Sequence, residues 1–369
     1  MSHQERVTRA AELMRAASIG GLLLTKPANL FYLTGASELC AYAIVSQEGQ
    51  VALGVPFIDL DDVSSRAQFD QITGFNDEVG LLHSISHFVH HMGLERAQIG
   101  LEYSFVTRSR EAMFTHPHAL PPTTTTVDAT PLLSELRMVK EAEEIQLLKG
   151  AGRVAQAGIA TAVKVARPGA TEIEVTAEAE RAMRMAGAER FYHTYVASGP
   201  RTKVAHGYPT YRVIEENDLV TVDLHPIYHG YSGDLCRTFC AGTPTAAQRE
   251  ALELVLSAQQ DAVWKAREGV KVSEIEAALH DPVQAAGRAD RLFGPPIHGV
   301  GIEFEEAPLP TGHAYFHGEP EPPPLRANTV LAVGNCGLYM DDFGVRIEDT
   351  VVVTPTEPIV LTDYARKLF

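Results

Sequence analysis

From about Pro131 onward the 369-residue sequence runs twice through one order of elements: helix, helix, strands. That repeat constrains the fold more than any other feature. The first helical pattern carries Val139, Ile145, Leu148, Val154, Ile159 and Val163 and is stopped by Pro168-Gly169; Thr171 with Glu174 opens the second. The later pair opens with Thr245 and Gln248, then Ser273 and Glu276. In each box a hydroxyl precedes a Glu or Gln by three positions, the reciprocal pattern that satisfies N–H groups left unpaired at a helix start. A strand-rich stretch follows each helix pair. The order predicts an internally duplicated α+β domain with no close sequence repeat and no solenoid period.

The chain before this repeat reads differently. Ser2 with Glu5 caps a helix bearing Val7, Ala10, Ala11, Leu13 and Met14, and Gly20-Gly21 ends it. Leu22-Leu23-Leu24-Thr25 reads as a short buried strand. Tyr42 to Val45, Val51 to Val55 and Gln98 to Leu101 read as further strands, mixed with a helix around Leu81 to Met92. The mixture predicts a smaller α/β domain. His116-Pro117-His118-Ala119-Leu120-Pro121-Pro122 and the four threonines after it do not read as a core element, and they mark the approach to a boundary. The expected domains are 1–131 and 132–369.

Charge narrows the partners. With 31 Lys+Arg against 47 Asp+Glu the formal net charge is -16, a field that repels nucleic acid and anionic lipid surfaces. No apolar run is long enough to span a bilayer, and the N-terminus lacks a signal-peptide core. Cys40, Cys236, Cys240 and Cys336 form no CxxC pair, so they read as free thiols of a cytoplasmic protein. GxxxxGK[ST], HExxH, GxSxG and GxGxxG are all missing, which removes the signatures of phosphate cradles, zincins and nucleophile-elbow hydrolases.

Some of the carboxylates are arranged rather than scattered. In the first strand-rich stretch, Asp218 to His225 and then Gly230 to Phe239, the period of two places Thr221, Asp223 and His225 on one face. Asp234, Cys236 and Thr238 share a face of the neighbouring strand, and a hairpin turning at Gly230 brings the aspartates together. Two carboxylates at close quarters repel unless a cation neutralises them, and a divalent metal does so economically. The second stretch, Val330 to Tyr339 and Gly344 to Thr350, repeats the arrangement with Arg346 and Glu348 on one face. Between the two lies Pro295-Pro296-Ile297-His298-Gly299-Val300-Gly301-Ile302-Glu303-Phe304-Glu305-Glu306, whose glycines place His298 in an irregular segment. Cys236 and Cys336 read as small buried packing residues.

These residues resemble the pita-bread (M24) metallopeptidase family: the Xaa-Pro dipeptidases, aminopeptidases P and methionine aminopeptidases, with the non-peptidase creatinases. Asn29-Leu30-Phe31-Tyr32-Leu33-Thr34-Gly35, Leu136-Arg137-Met138-Val139-Lys140, Ser198-Gly199 and His206-Gly207 extend the resemblance over almost the whole chain. It implies a C-terminal pita-bread domain of helix pairs and a curved antiparallel sheet, preceded by a creatinase/prolidase-type α/β domain. It also implies a pair of divalent ions held by Asp, Asp, His, Glu, Glu, here Asp223, Asp234, His298, Asn335 and Glu348. The fourth position departs: a neutral amide stands where an anionic oxygen is expected, and it binds hard cations weakly. Cys336 replaces a proline, Glu305 stands in place of a second histidine, and His225 in place of a glycine, as a replacement ligand or as filler of the site.

The resemblance implies a Xaa-Pro dipeptidase-like hydrolase that cleaves a small amide with metal-activated water, Mn²⁺ or Co²⁺ being the expected ions, one or two per chain. In it His206 stabilises the tetrahedral intermediate or protonates the leaving nitrogen, and Arg346 orients the carboxylates. Glu305 is an acid or base, a binding carboxylate, or a partner for Arg346. A non-peptidase enzyme of the creatinase or compatible-solute type, with one metal or none, is the alternative, and an inactive binding homologue a third. Relatives of this length imply a homodimer.

Overall fold

The computed structural model describes residues 2–36, 38–309 and 322–367. They form two compact units, Met1–Arg137 and Met138–Phe369. Among the described residues no helix is long and apolar enough to cross a membrane.

The first unit holds six strands, β1 (Gly21–Leu24), β2 (Tyr42–Ser46), β3 (Val51–Pro56), β4 (Gln71–Phe75), β5 (Gln98–Leu101) and β6 (Thr125–Asp128), in the sheet order β4-β3-β2-β1-β5-β6. β3 and β4, β1 and β5, and β5 and β6 pair in parallel; β1 with β2 and β2 with β3 are antiparallel. The helices are α1 (His3–Ala16), α2 (Pro27–Thr34), α3 (Leu60–Arg66), α4 (Glu78–His91), α5 (Arg108–Phe114) and α6 (Thr130–Met138). On α4, Ile85, Phe88 and Val89 recur at helical spacing and are buried against Leu23, Tyr42, Ile44 and Leu101. The threonine run after Pro122, read as no core element, contributes to the rim of the sheet. Thr125 and Thr126 lie in β6, a half-exposed edge strand, where β-branched side chains fit a sheet that one neighbour completes.

A buried carboxylate fixes the start of α2. Glu102 accepts from the backbone N–H of Thr25 (2.7 Å) and Lys26 (2.8 Å) and from Asn29 Nδ2 (2.7 Å), and Arg137 donates to Asn29 Oδ1 (2.7 Å). The Asn29 to Gly35 string therefore has a structural basis: Asn29 in this network, Tyr32 and Leu33 in the core, and Gly35 ending the helix at φ 70°.

The second unit follows the duplicated order. Helices α7 (Ala142–Val165) and α8 (Glu172–Met185) precede strands β7 (Arg190–Ser198), β8 (Leu219–Tyr228), β9 (Tyr231–Ser232) and β10 (Leu235–Cys240). Helices α9 (Ala246–Lys265) and α10 (Val272–Ala285) precede β11 (Leu292–Phe293), β12 (Ile297–Gly299), β13 (Val330–Val333), β14 (Gly337–Tyr339), β15 (Gly344–Val345), β16 (Glu348–Val352) and β17 (Ile359–Val360). The main sheet is antiparallel, in the order β12-β13-β16-β10-β8-β7, with β17 on β16 and β9 on β8; β11, β14 and β15 form a small second sheet. Its helix-facing side is apolar: Val222, Leu224 and Leu235 pack with Val154, Ile159 and Met183, and Leu331, Val333 and Val351 with Ile275 and Leu279.

Two local readings change. The box at Ser273 and Glu276 lies two residues inside the true start of α10, which begins after Lys271, whose backbone N–H donates to Glu274 Oε1 at 3.1 Å. Burial of Val272 as well as Ile275 and Leu279 extends the apolar face backwards, and packing overrides the local signal. His298 lies in the short strand β12, paired with β13, rather than in irregular chain.

Candidate metal centre

Register decides which side chains meet. Tyr195 on β7 lies opposite Asp223 on β8, Asp223 opposite Cys236 on β10, and Cys236 opposite Glu348 on β16. His298 on β12 lies opposite Ala332 on β13, and Ala332 opposite Thr350. Since Thr350 is two residues from Glu348, both rows occupy one face, opposite the helices. Asp234 precedes Cys236 by two and joins them. Thr350 Oγ1 donates to the Asp234 carbonyl at 2.7 Å, fixing the start of β10.

The structure thus brings Asp223, Asp234, His298 and Glu348 together, all nearly inaccessible, and adds His225. Their ligand atoms form two groups that share Asp234: Asp223, His225 and Asp234, then Asp234, His298 and Glu348. His225 Nε2 lies 3.3 Å from Asp234 Oδ1 and 3.5 Å from Asp223 Oδ1. His298 Nε2 lies 3.5 Å from Asp234 Oδ2 and 3.6 Å from Glu348 Oε1, while its Nδ1 faces the Gly299 carbonyl at 3.2 Å. A proton on that Nδ1 leaves the Nε2 lone pair for the carboxylate side.

Electrostatics report a concentration of negative charge. Burial and the neighbouring Asp234 push the Glu348 carboxyl up to about 7. Burial disfavours an imidazolium at His225, yet Asp223 and Asp234 raise it to about 9; Glu348 and Asp234 raise His298 to about 9 in the same way. Asp223 Oδ1, both oxygens of Asp234 and Glu348 Oε1 are buried with no hydrogen-bond partner. Buried anionic oxygens left open toward imidazole nitrogens suit a divalent cation, so the donor set fits one.

Arg346, itself buried, donates to Asp223 Oδ2 and lies 3.4 Å from Asn335 Oδ1 and 3.3 Å from Cys236 Sγ. Arg346 thus has Asp223 as its carboxylate partner. Asn335 is turned to the guanidinium. Glu305 is exposed, close enough to add to the field on His298. His206 is exposed, its ring 5.4 Å from that of Tyr195. The thiols of Cys236 and Cys336 are buried and raised by desolvation, Cys336 to about 12, which makes them poor nucleophiles.

An aromatic wall beside the carboxylates went unread in the sequence. His193 stacks on Tyr195 at 5.0 Å; Tyr208 meets Tyr195 edge-on at 5.0 Å; Phe304 meets His225 at 5.0 Å and His193 at 5.6 Å. Alternation along β7 was the available signal, since it places His193 and Tyr195 on one face. Lys140 closes the Leu136 to Lys140 string. Its Nζ pairs with Glu306 Oε1 at 2.8 Å, both buried, and a Cβ on Gly301 would lie 2.2 Å from that carboxylate oxygen.

A helix-backed antiparallel sheet with carboxylates and imidazoles gathered on its other face defines a pita-bread metallohydrolase. A model of metallopeptidase family M24 matches residues 146–355, and one of the creatinase/prolidase N-terminal domain matches residues 6–139. The chain belongs to metallopeptidase family M24. It is 29% identical to the Xaa-Pro dipeptidase of Pyrococcus furiosus, over 99% of each chain, and 28% identical to that of Pyrococcus horikoshii, over 99% of this chain and 98% of the other. Among solved structures, the prolidase from Pyrococcus horikoshii superposes with a TM-score of 0.87 at 28% identity, covering 99% of this chain and 100% of that one. The Xaa-Pro dipeptidase from Bacillus anthracis gives 0.89 at 27%, covering 100% and 99%.

Proposed function

We propose that this chain hydrolyses the amide bond of Xaa-Pro dipeptides or similarly small substrates, with a pair of divalent ions, Mn²⁺ or Co²⁺, held by Asp223, Asp234, His298 and Glu348. The observation that carries the reading is the convergence of buried, otherwise unpartnered carboxylate oxygens on imidazole nitrogens. When bound, such an ion supplies Lewis acidity, lowering the pKa of water and polarising the scissile carbonyl. The chain's own groups do the rest. Arg346 holds Asp223 in place. His206, on the exposed side next to Tyr195, is positioned to donate a proton to the developing oxyanion or the leaving nitrogen. Tyr195, Tyr208 and Phe304 offer ring faces to an apolar pyrrolidine and help exclude water. The named relatives, Xaa-Pro dipeptidases matched over nearly their full length, support the substrate class. Free thiols at all four cysteines support a reducing cytoplasm, and a homodimer completes the reading.

The neutral Asn335 favours a second reading, a non-peptidase enzyme with fewer ions. One experiment separates the two: metal content of protein purified without chelator, measured beside cleavage of Ala-Pro and Leu-Pro with added Mn²⁺ or Co²⁺. The dipeptidase reading expects about two ions per chain, turnover, and loss of turnover on chelation. One equivalent or fewer, with the prolyl dipeptides intact, selects the second reading. Neither metal nor turnover, with ligand binding preserved, selects a binding homologue.

A further inference from the structure

The centre carries one imidazole more than the expected ligand set and one carboxylate fewer. We propose that His225 is a resident metal ligand that makes up the ligand count lost at Asn335, so that each of two ions meets one imidazole, one carboxylate of its own and a share of Asp234. This rests on the metallohydrolase reading above and deepens it.

The geometry is nearly mirrored about Asp234. One oxygen faces His225 Nε2 at 3.3 Å, the other faces His298 Nε2 at 3.5 Å; the outer contacts, to Asp223 and Glu348, are 3.5 and 3.6 Å. Charge-assisted N–H···O bonds are about 2.7–2.9 Å long. Two donor atoms bound to one ion at about 2.0–2.2 Å lie about 3.0–3.5 Å apart in octahedral or tetrahedral geometry. The observed separations match donor pairs around an ion better than hydrogen bonds. His225 Nδ1 is buried and has no partner, so Nε2, facing the two aspartates, is the ring nitrogen with counterparts. The side chain is itself 6% exposed, held between Phe304 and Tyr195, which fixes Nε2 toward the aspartates.

Replacing a hard oxygen with an imidazole nitrogen changes which ion the centre prefers. Affinity at nitrogen donors rises from Mn²⁺ to Co²⁺, and carboxylate sets discriminate less. By that order His225 adds to the preference of this centre for Co²⁺ over Mn²⁺.

The test titrates chelator-treated full-length protein with Co²⁺ and with Mn²⁺ by calorimetry, and records pulsed EPR of the Mn²⁺ form for nitrogen coupling. Wild type is expected to bind two Co²⁺ and to show coupling to two imidazoles. His225→Gly is expected to lose one equivalent, or to weaken it at least tenfold, and to lose one coupling; His225→Gln, which keeps the bulk, should behave alike. The preference for Co²⁺ over Mn²⁺ should narrow about tenfold. Unchanged or tighter binding in a folded variant overturns the proposal, because a filler, or an imidazolium acting as the site's own cation, predicts that result. Should neither variant fold, the wild-type EPR decides alone: coupling to a single imidazole rules His225 out. Cleavage of Ala-Pro is scored separately, so two-imidazole binding without turnover sinks the dipeptidase reading and leaves the ligand assignment standing.

Discussion

Arg346 and Asp223 are separated by 123 positions in sequence, yet each is the other's buried counter-charge. Removing one charge of such a pair strands the other, so Arg346→Leu is expected to cost about 3–5 kcal/mol in metal-free protein. Added Co²⁺ should return part of that loss, because a cation beside Asp223 replaces the missing charge; urea unfolding with and without the ion measures both effects. Asn335→Glu works in the opposite sense. It places a carboxylate where Arg346 now meets an amide oxygen at 3.4 Å, and it should tighten divalent-ion binding on the order of tenfold. Calorimetry showing no tightening would mean that position 335 faces the guanidinium only. At this scale the sequence was partly legible. Period-two alternation put Asp223 with His225 and Arg346 with Glu348. It could not show that Arg346 reaches Asp223 rather than Glu305, because that choice depends on the order of β8, β10 and β16 in the sheet.

Elements are held around the centre by two buried charge networks. Glu172, the first residue of α8, accepts from Ser198 N and Oγ (both 2.8 Å), from Thr210 N (2.9 Å) and Oγ1 (2.7 Å), and from Arg201. It thereby ties the end of β7 to the segment that carries His206. Burial works to raise its carboxyl, but the bonds from Thr210, Ser198 and Arg201 win and hold it below the ordinary value. A depressed folded value contributes stability that is present above the unfolded pKa of about 4.3 and is lost as pH falls through the lower folded one. Glu172→Gln should therefore flatten the acid limb of stability against pH, read as urea midpoints between about pH 6 and pH 3. Beneath the sheet, Arg237 and Asp349 form a fully buried pair at 2.7 Å, and Gln259 Nε2 meets Asp349 Oδ2 at 3.0 Å. Arg237→Met alone should cost about 3–5 kcal/mol, and the double variant with Asp349→Leu should regain much of it. Capping boxes such as Thr171 with Glu174 were readable because they are local. Arg237 was not, since an arginine inside a strand reads as solvent-facing until its partner is known.

The whole molecule divides into Met1–Arg137 and Met138–Phe369, each with its own core, and the candidate metal ligands all belong to the second. Scanning calorimetry should therefore show the divalent ion raising the transition that reports the second unit, by about 2.7 kcal/mol at a hundredfold excess over Kd, with the other unmoved. The duplicated order, the α/β lead-in and the acidity were all legible, because periodicity and composition survive without partners. Strand order was not legible, because pairings such as Cys236 with Glu348 bridge more than a hundred residues. The pair at Arg237 has one more anchor, a strap from the chain's last described stretch. Arg237 donates to the carbonyls of Tyr364 and Ala365, Arg366 to Asp349 at 2.6 Å, and Thr362 Oγ1 to Asp349 at 2.9 Å. A ribosome makes the chain from its N-terminus, so strands β8, β10 and β16 are synthesised before the residues that neutralise and cover the charges beneath them. The underside of the sheet can be closed in full only once residue 366 has cleared the exit tunnel, after the strands that carry the acidic face have all been made.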